Sequence, residues 1–290
     1  MADMNGKIIK GIGGFYYVKV PGGETYECKA RGIFRKDGIK PCIGDDVEID
    51  IKSGKGNINK IFPRRNQLVR PPVANIDILV IVAAAAAPEP NLFLIDKLLV
   101  NAEICGITPI ILVNKTDLSD GENLRRIYKN TGYTLLSFSA AENENADFLL
   151  PHISGKTTAF AGLSGVGKST ILNLLTGGNM ETGSVSEKIK RGRHTTRHVE
   201  LIELDGGGHV LDTPGFSSFE VSGIKAAQLH EYFPEMRGLG DKCRFKGCSH
   251  ISEPDCEVKQ KVQNGEIAES RYESYKELYN QLKNLKDWEK

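Results

Sequence analysis

Short runs in which apolar and polar residues alternate open the chain: Lys7-Ile8-Ile9-Lys10, Phe15-Tyr16-Tyr17-Val18-Lys19-Val20 and Val47-Glu48-Ile49-Asp50-Ile51. A period of two turns one face of a strand to a core and the other to water. Gly13-Gly14, Pro21-Gly22-Gly23 and Ser53-Gly54-Lys55-Gly56 supply tight corners between the runs. About five short strands with no helical period predict a small β-barrel over residues 1–70. Arg64-Arg65-Asn66 and Arg70-Pro71-Pro72 read as the linker that leaves it.

From Asn75 the pattern changes. Ile76 to Ala87 is a continuous apolar run, the kind buried on both faces of a parallel sheet. Asn91 to Cys105 has helical spacing and stops at Gly106; Pro109 to Val113, Tyr133 to Phe138, Thr157 to Ala161 and Gly208 to Leu211 read as further strands. Strands alternating with helices predict a doubly wound α/β domain over residues 71–222. Beyond Ser222 the strands cease. Tyr272, Tyr275, Leu278, Tyr279, Leu282 and Leu285 recur at three- and four-residue spacing, which places one stripe along a helix, most simply as core packing.

Composition narrows the class. The 290 residues are 40% hydrophobic and 26% charged, a soluble globular mix that excludes wholesale disorder, collagen-like sequence and a disulfide miniprotein. The longest apolar run contains Asp77 and ends at Pro88, short of the roughly 20 residues a bilayer span needs, so no membrane partner is expected. Met1 to Lys7 has no apolar core of a secretory leader, and the expected address is the cytoplasm. The net charge of +1 is unevenly spread: residues 1–70 carry 14 Lys and Arg against 8 Asp and Glu. A basic barrel points to an anionic partner. Six cysteines at that address are thiols or metal ligands rather than disulfides.

The strongest local signal is Gly162-Leu163-Ser164-Gly165-Val166-Gly167-Lys168-Ser169-Thr170, between a predicted strand and an apolar helix face at Ile171, Leu172, Leu174 and Leu175. Strand, glycine loop and helix in that order make a phosphate-binding loop: glycines let the backbone N–H groups point inward, and the helix N-terminus favours anions. Lys168 would reach the β- and γ-phosphates, and the Ser169 hydroxyl would ligate magnesium.

Asn114-Lys115-Thr116-Asp117, at the end of an apolar strand, names the base. The Asp117 carboxylate can accept from both the ring N–H and the amine of guanine, whereas adenine presents an acceptor there and would leave it poorly paired. Ser139-Ala140, after the next strand, fits the loop whose backbone N–H contacts the guanine carbonyl. Asp212-Thr213-Pro214-Gly215 ends another strand; Asp212 would hold magnesium through water and the Gly215 amide would sense the γ-phosphate. One of Thr195 and Thr196 would be the switch ligand, in a segment that also carries Lys188, Lys190, Arg191, Arg193, His194 and Arg197.

The order of these motifs is the diagnostic feature. In Ras-like GTPases the phosphate loop, switch and Asp-x-x-Gly precede Asn-Lys-x-Asp and Ser-Ala. Here Asn114 to Asp117 and Ser139-Ala140 come first, so the same sheet is traced with new ends: a circularly permuted GTPase. Where Ras-type enzymes place a water-orienting glutamine, this chain has Phe216, which can neither orient nor deprotonate water. Intrinsic turnover should therefore be slow, with Lys168, magnesium and backbone amides stabilising charge, and His194 the nearest candidate for polar help.

Cys243, Cys248, His250 and Cys256 make a Cys-x4-Cys-x-His-x5-Cys pattern, a closed tetrahedral set for structural zinc. Lys242, Arg244 and Lys246 decorate its first loop, while Cys28, Cys42 and Cys105 are isolated packing residues.

A basic barrel, a permuted GTPase with Gly192-Arg193-His194-Thr195-Thr196, and this zinc spacing together resemble the RsgA (YjeQ/YloQ) family of small ribosomal subunit biogenesis GTPases along essentially the whole chain. The resemblance implies an OB-fold at 1–70, a permuted G domain at 71–222 and a helical zinc domain at 223–290. It further implies a monomeric factor that binds the 30S subunit and its 16S rRNA, hydrolyses GTP to GDP and phosphate slowly when free, and is stimulated by the subunit late in its maturation. Two other readings remain open at this point: a GTP-regulated RNA-binding protein whose hydrolysis is incidental, and a P-loop ATPase or kinase, which Asn114 to Asp117 opposes.

Overall fold

The structure is a computed structural model that describes residues 4–32, 34, 38–52, 54–68, 72–143, 145–178, 199–212 and 221–285. The chain divides into two compact units, one of Met1–Ile78, Glu144–Phe160 and Lys168–Gly215, the other of Leu79–Asn143, Ala161–Gly167 and Phe216–Lys290.

In the first unit, β1 (Met4–Ile12), β2 (Phe15–Lys19), β3 (Thr25–Ala30), β4 (Asp46–Lys52) and β5 (Lys55–Ile61) close into a barrel in the order β1-β2-β3-β5-β4. β3 and β5 run parallel and the other pairs antiparallel. This is a five-stranded barrel of the OB type. The inward positions of the alternating runs fill it: Ile8, Val18, Cys28, Val47, Ile49 and Ile58 expose no surface. Burial pushes the Cys28 thiol up to about 11 and the Cys42 thiol up to about 12, so both behave as packing residues.

The exit from the barrel is fixed rather than loose. Arg64 donates to both oxygens of the buried Asp45, Nε to Oδ1 at 2.6 Å and Nη2 to Oδ2 at 2.8 Å. Arg65 pairs with Asp77, and the Asn66 amide exchanges two hydrogen bonds with the backbone of Ile76 at 2.8 and 2.9 Å. The short strands β6 (Gln67–Leu68) and β7 (Val73–Ala74) pair antiparallel beyond it. Arg70 and Pro71 lie outside the described residues.

The α/β part contains β8 (Ile78–Ala84), β9 (Thr108–Asn114), β10 (Thr134–Ser137), β11 (Thr157–Ala161), β12 (Ile202–Glu203) and β13 (His209–Asp212); the strand order is β10-β9-β8 in the second unit and β11-β13-β12 in the first. β9 is parallel to β10 and β11 to β13, whereas the edge strand β12 is antiparallel to β13. β8 and β11 are buried along their whole length, as continuous apolar runs require. The apolar run is longer than the strand it forms. Asp77 precedes β8, and its Oδ2 accepts the Thr157 N–H at 2.8 Å. Helix α1 (Leu92–Cys105) begins where Asn91 Oδ1 accepts the Leu94 N–H at 2.9 Å and ends on Gly106, left-handed at φ 64°. Helices α2 (Glu122–Tyr128), α3 (Leu150–Ile153) and α4 (Lys168–Leu175) complete the α/β part.

Within the second unit, residues beyond 222 form short 3-10 turns and two helices, α5 (Glu257–Gln263) and α6 (Glu269–Asn284). The stripe on α6 is core: Tyr272, Tyr275, Leu278 and Leu282 are buried against Leu229, Phe233, Met236 and Val100 of α1, with Tyr279 and Leu285 half-buried beside them. Arg271 sits among them, wholly buried. It donates to Asp96 Oδ1 at 2.7 Å and to both oxygens of Glu235 at 2.7 and 3.0 Å, with its guanidinium 4.6 Å from the Phe233 ring centroid. Among the described residues, no helix is long and apolar enough to cross a membrane.

Candidate functional site

β9 ends on Asn114, which is buried, and the chain then turns sharply through Lys115 at φ +62°. The Asn114 side chain faces two loops at once. Its Nδ2 donates to the Val166 carbonyl at 2.8 Å and its Oδ1 accepts the Ala140 N–H at 3.0 Å. One amide therefore joins the glycine loop to the Ser139-Ala140 loop. Asp117 is exposed, and its Oδ1 accepts from the Ser139 hydroxyl at 2.6 Å. That contact orients the carboxylate while leaving the group open to solvent. The Ser139 carbonyl is held in turn by Asn143 Nδ2 at 2.7 Å, a contact that no sequence motif announced.

The glycines of the phosphate loop are required by space. A Cβ at Gly167 (φ +97°) would lie 2.2 Å from Asn114 Nδ2, and one at Gly162 (φ +140°) would lie 2.2 Å from the Val82 carbonyl oxygen. Larger residues at either position would expel the amide that ties the loops together or displace β8. Val166 is buried, while Ser164 and Gly165 stand exposed at the loop tip. Without a break the chain continues into α4, whose first turn carries Lys168, Ser169 and Thr170 and whose apolar face buries Ile171 and Leu172. Thr116 donates its N–H to the Phe138 carbonyl at 3.2 Å, fixing the base motif to the end of the neighbouring strand.

The remaining candidates are only partly in view. β13 ends on Asp212, as the strand reading requires. His194, Thr195, Thr196, Gly215 and Phe216, together with the basic positions 188–197, lie outside the described residues.

Sequence and structure converge on a second centre. Cys243, Cys248, His250 and Cys256 bring one ligand atom each to within 4.8 Å of all the others. One face of the set measures 3.3 Å from His250 Nδ1 to Cys256 Sγ, 3.6 Å from Cys243 Sγ to His250 Nδ1 and 4.0 Å between the Cys243 and Cys256 sulfurs. A tetrahedron with metal–sulfur bonds of about 2.3 Å has edges of about 3.8 Å, so the four donors fit a metal ion. Burial holds His250 down to about 4, with His230 adding to it, so the imidazole is neutral and can ligate. Burial also pushes Cys248 up to about 12. A dication among these groups would reverse that preference and favour thiolate.

The loop that carries His250 at φ +60° is organised by contacts the ligand spacing did not reveal. Although burial opposes its charge, Glu253 is drawn down to about 2 by the N–H groups and hydroxyl around it, chiefly those of Ser249. From α6, the Tyr272 hydroxyl donates to the His250 carbonyl at 2.7 Å and the Tyr275 hydroxyl to the Ser249 carbonyl at 2.8 Å. The apolar stripe thus also holds the metal loop.

Comparison with known proteins decides the family. The RsgA GTPase model matches residues 61–222 and the RsgA N-terminal domain model residues 5–58. The chain belongs to the RsgA GTPase family. Small ribosomal subunit biogenesis GTPase RsgA of Ruminiclostridium cellulolyticum is 50% identical over 287 residues, covering 97% of this chain and 94% of that protein. Its counterpart in Geobacillus kaustophilus is 43% identical over 289 residues, with coverage of 97% and 98%. Among solved structures, YloQ, a circularly permuted GTPase, matches with a TM-score of 0.82 at 38% identity, covering 98% of this chain and 96% of that one. YjeQ from Thermotoga maritima matches at 0.84 and 36%, with coverage of 98% and 100%. As an RsgA-family member the chain is a GTP-hydrolysing enzyme. Its permuted order is visible in the structure: β9 with Asn114 precedes β11 and the phosphate loop along the chain.

Proposed function

We propose that this RsgA-family enzyme binds the small (30S) ribosomal subunit through its 16S rRNA and assists late maturation of that particle, turning GTP over slowly alone and faster on the subunit. The relatives' name, small ribosomal subunit biogenesis GTPase, supports the partner. The observation that carries the nucleotide reading is the Asn114 amide, which couples the phosphate loop at Val166 to the Ser139-Ala140 loop. In this reading residues 1–70 form the RNA-binding barrel, 71–222 the permuted G domain and 223–290 the metal domain, in a cytoplasmic monomer.

Guanine would enter opposite Asp117. Its ring N–H and amine would donate to the carboxylate, with Ser139 retaining its hold on Oδ1. The Ala140 N–H already serves Asn114, so the guanine carbonyl would share that donor. Lys115 and Thr116 would shape this end of the site. Backbone N–H groups of Gly162, Leu163, Ser164, Gly165, Val166 and Gly167 would wrap the phosphates, and Lys168 would stabilise charge on the transferring phosphoryl group. Ser169 is exposed in the first turn of α4, and β13 ends on Asp212; both are donors suited to magnesium. A bound magnesium ion would neutralise charge shared by the β- and γ-phosphates. During hydrolysis a water oxygen bonds to the γ-phosphorus as the bridging P–O bond breaks, with Thr195, Thr196, His194 and Gly215 as the switch groups assigned to that end.

At Cys243, Cys248, His250 and Cys256 zinc is the metal proposed, because three thiolates and one neutral imidazole form a closed tetrahedral set with no open position. Its role is to hold the loop against α6.

Cosedimentation with purified 30S subunits tests the partner. The GTP-analogue form should travel with the subunit and the GDP form much less. Equal failure of both to sediment would remove the subunit as partner.

A further inference from the structure

The bulge in β1 has a partner outside the barrel. Along the β1–β2 pair the register is Ile8 with Val18 and then Lys10 with Tyr17, which leaves Ile9 as the extra residue. β1 pairs with β4 through Met4 to Lys7, and Ile8 still exchanges hydrogen bonds with Gly44 and Asp45 just ahead of β4, so the barrel closure on that side ends at Ile8. The Ile9 carbonyl instead accepts the Leu201 N–H at 2.9 Å, and Lys10 forms an antiparallel bridge with Glu200. Two ion pairs reinforce it: Lys10 Nζ lies 2.5 Å from Glu200 Oε2, and Lys19 of β2 pairs with Glu203 of β12. All of these residues belong to the same compact unit.

Bulges re-aim a strand and end its regular pairing, and an open edge strand offers unpaired donors and acceptors. Both features are used here. β12 is the outermost strand beside β13, and the bulged barrel strand takes the N–H of the residue that leads into it. β12 forms a hairpin with β13, Ile202 opposite Val210 and Glu203 opposite His209, and β13 ends on Asp212. The barrel therefore grips one arm of a hairpin whose other arm ends at the candidate magnesium ligand.

We propose that Lys10, Lys19 and the Ile9 carbonyl are positioning residues for GTP hydrolysis, holding the β12–β13 hairpin so that Asp212 is set for the phosphate end of the nucleotide. The inference rests on the reading of Asp212 given above. It makes the barrel part of the hydrolytic apparatus in addition to a surface for RNA. It also gives a route by which a load on the barrel alters turnover without touching the base pocket, because Asn114, Asp117 and Ser139 lie on other strands and loops.

The test uses the full-length protein without RNA, so that lost subunit contacts cannot enter. Lys10→Glu and Glu200→Lys each place like charges together, and the double variant restores an opposite pair. Each single variant should lower kcat about three- to tenfold with KM for GTP and GDP affinity within about twofold of the parent, and the double variant should recover most of kcat, as expected for directly coupled residues. The two side chains are 30% and 41% exposed, so loss of the pair costs little stability and the variants should fold; retained GDP binding checks this. Unchanged kcat in both single variants, or a double variant no better than either, would overturn the inference. Asp212→Asn separates the two levels. If it hydrolyses GTP at the parental rate, the reading of Asp212 is wrong. If it is inactive while the charge variants are silent, the positioning role alone is wrong.

Discussion

Arg271 Nη1 donates to Asp96 Oδ1 at 2.7 Å with both side chains entirely buried, which ties the C-terminal helix α6 to α1 of the α/β part across 175 residues of chain. The Tyr128 hydroxyl donates to the same Asp96 oxygen at 2.7 Å, and Glu235 closes the other side of the guanidinium. Burial pushes the Asp96 carboxyl upward against the pull of Arg271. Burial opposes the charge of Arg271 too, but Asp96 and Glu235 hold its pKa well above the ordinary arginine value. Removing the cation would leave two buried carboxyl groups facing each other's charge. Arg271→Met should lower unfolding stability by about 3–5 kcal/mol, read by chemical denaturation of the full chain. A loss below about 1 kcal/mol would mean that the pair is dispensable.

Base recognition is tested at Asp117. An amide cannot accept from both guanine donors, so Asp117→Asn should weaken GTP about tenfold to a hundredfold, and it should improve xanthosine nucleotides, whose carbonyl an amide can address. Competition binding measures both. Unchanged GTP affinity would remove Asp117 from the pocket.

Metal binding is tested by Cys248→Ser. Metal analysis should find zinc in the parent and its loss in the variant, with residues 248–256 loosened around Glu253 and guanine nucleotide still bound. Full zinc occupancy in Cys248→Ser would sink the four-ligand assignment.

Asp77 predicts an acid dependence. Although burial opposes its charge, Arg65 and the Thr157 N–H hold its carboxyl below the usual carboxylate range. A depressed folded value contributes stability that is fully present above the unfolded value of about 3.9 and is lost as pH falls through the folded one. The stability gap between the parent and Asp77→Asn should therefore be constant from neutral pH to about 5 and shrink below about 4. A gap that persists unchanged at lower pH would assign the effect to packing.

How much of this could be read from the sequence follows from the range of the forces. Asn114 to Asp117, the glycine loop and the Cys/His set are local patterns whose chemistry demands fixed spacing, and the structure brings the residues of each set together. α1 was legible because Asn91 and Gly106 are local cap signals. The Arg271–Asp96–Glu235 cluster was not. Charged residues read as solvated, and their pairing spans 36 and 175 positions, far beyond any periodic signal. The stripe on α6 was legible as apolar, but periodicity weighs Tyr272 and Tyr275 as hydrophobes and cannot say where their hydroxyls donate. Likewise Lys10 and Lys19 read as part of a basic surface, while both are paired with glutamates of the same unit.

That pairing refines the salt argument. Subunit binding should weaken steeply with salt, because phosphate contacts release counterions, whereas nucleotide affinity should move much less. The slope of log K against log salt should survive Lys10→Gln, since Lys10 is committed to Glu200, and should fall on neutralising Lys242 and Lys246. Equal slopes for subunit and nucleotide binding would contradict a polyanionic partner.

The most direct measurement of the central claim is steady-state GTP turnover by the full-length protein with and without purified 30S subunits, ATP serving as the competing nucleotide. The account predicts slow GTP hydrolysis alone, a large rise with 30S subunits that His194→Ala substantially reduces, and no inhibition by excess ATP. A rate that 30S subunits leave unchanged, or that ATP suppresses by competition, would contradict it.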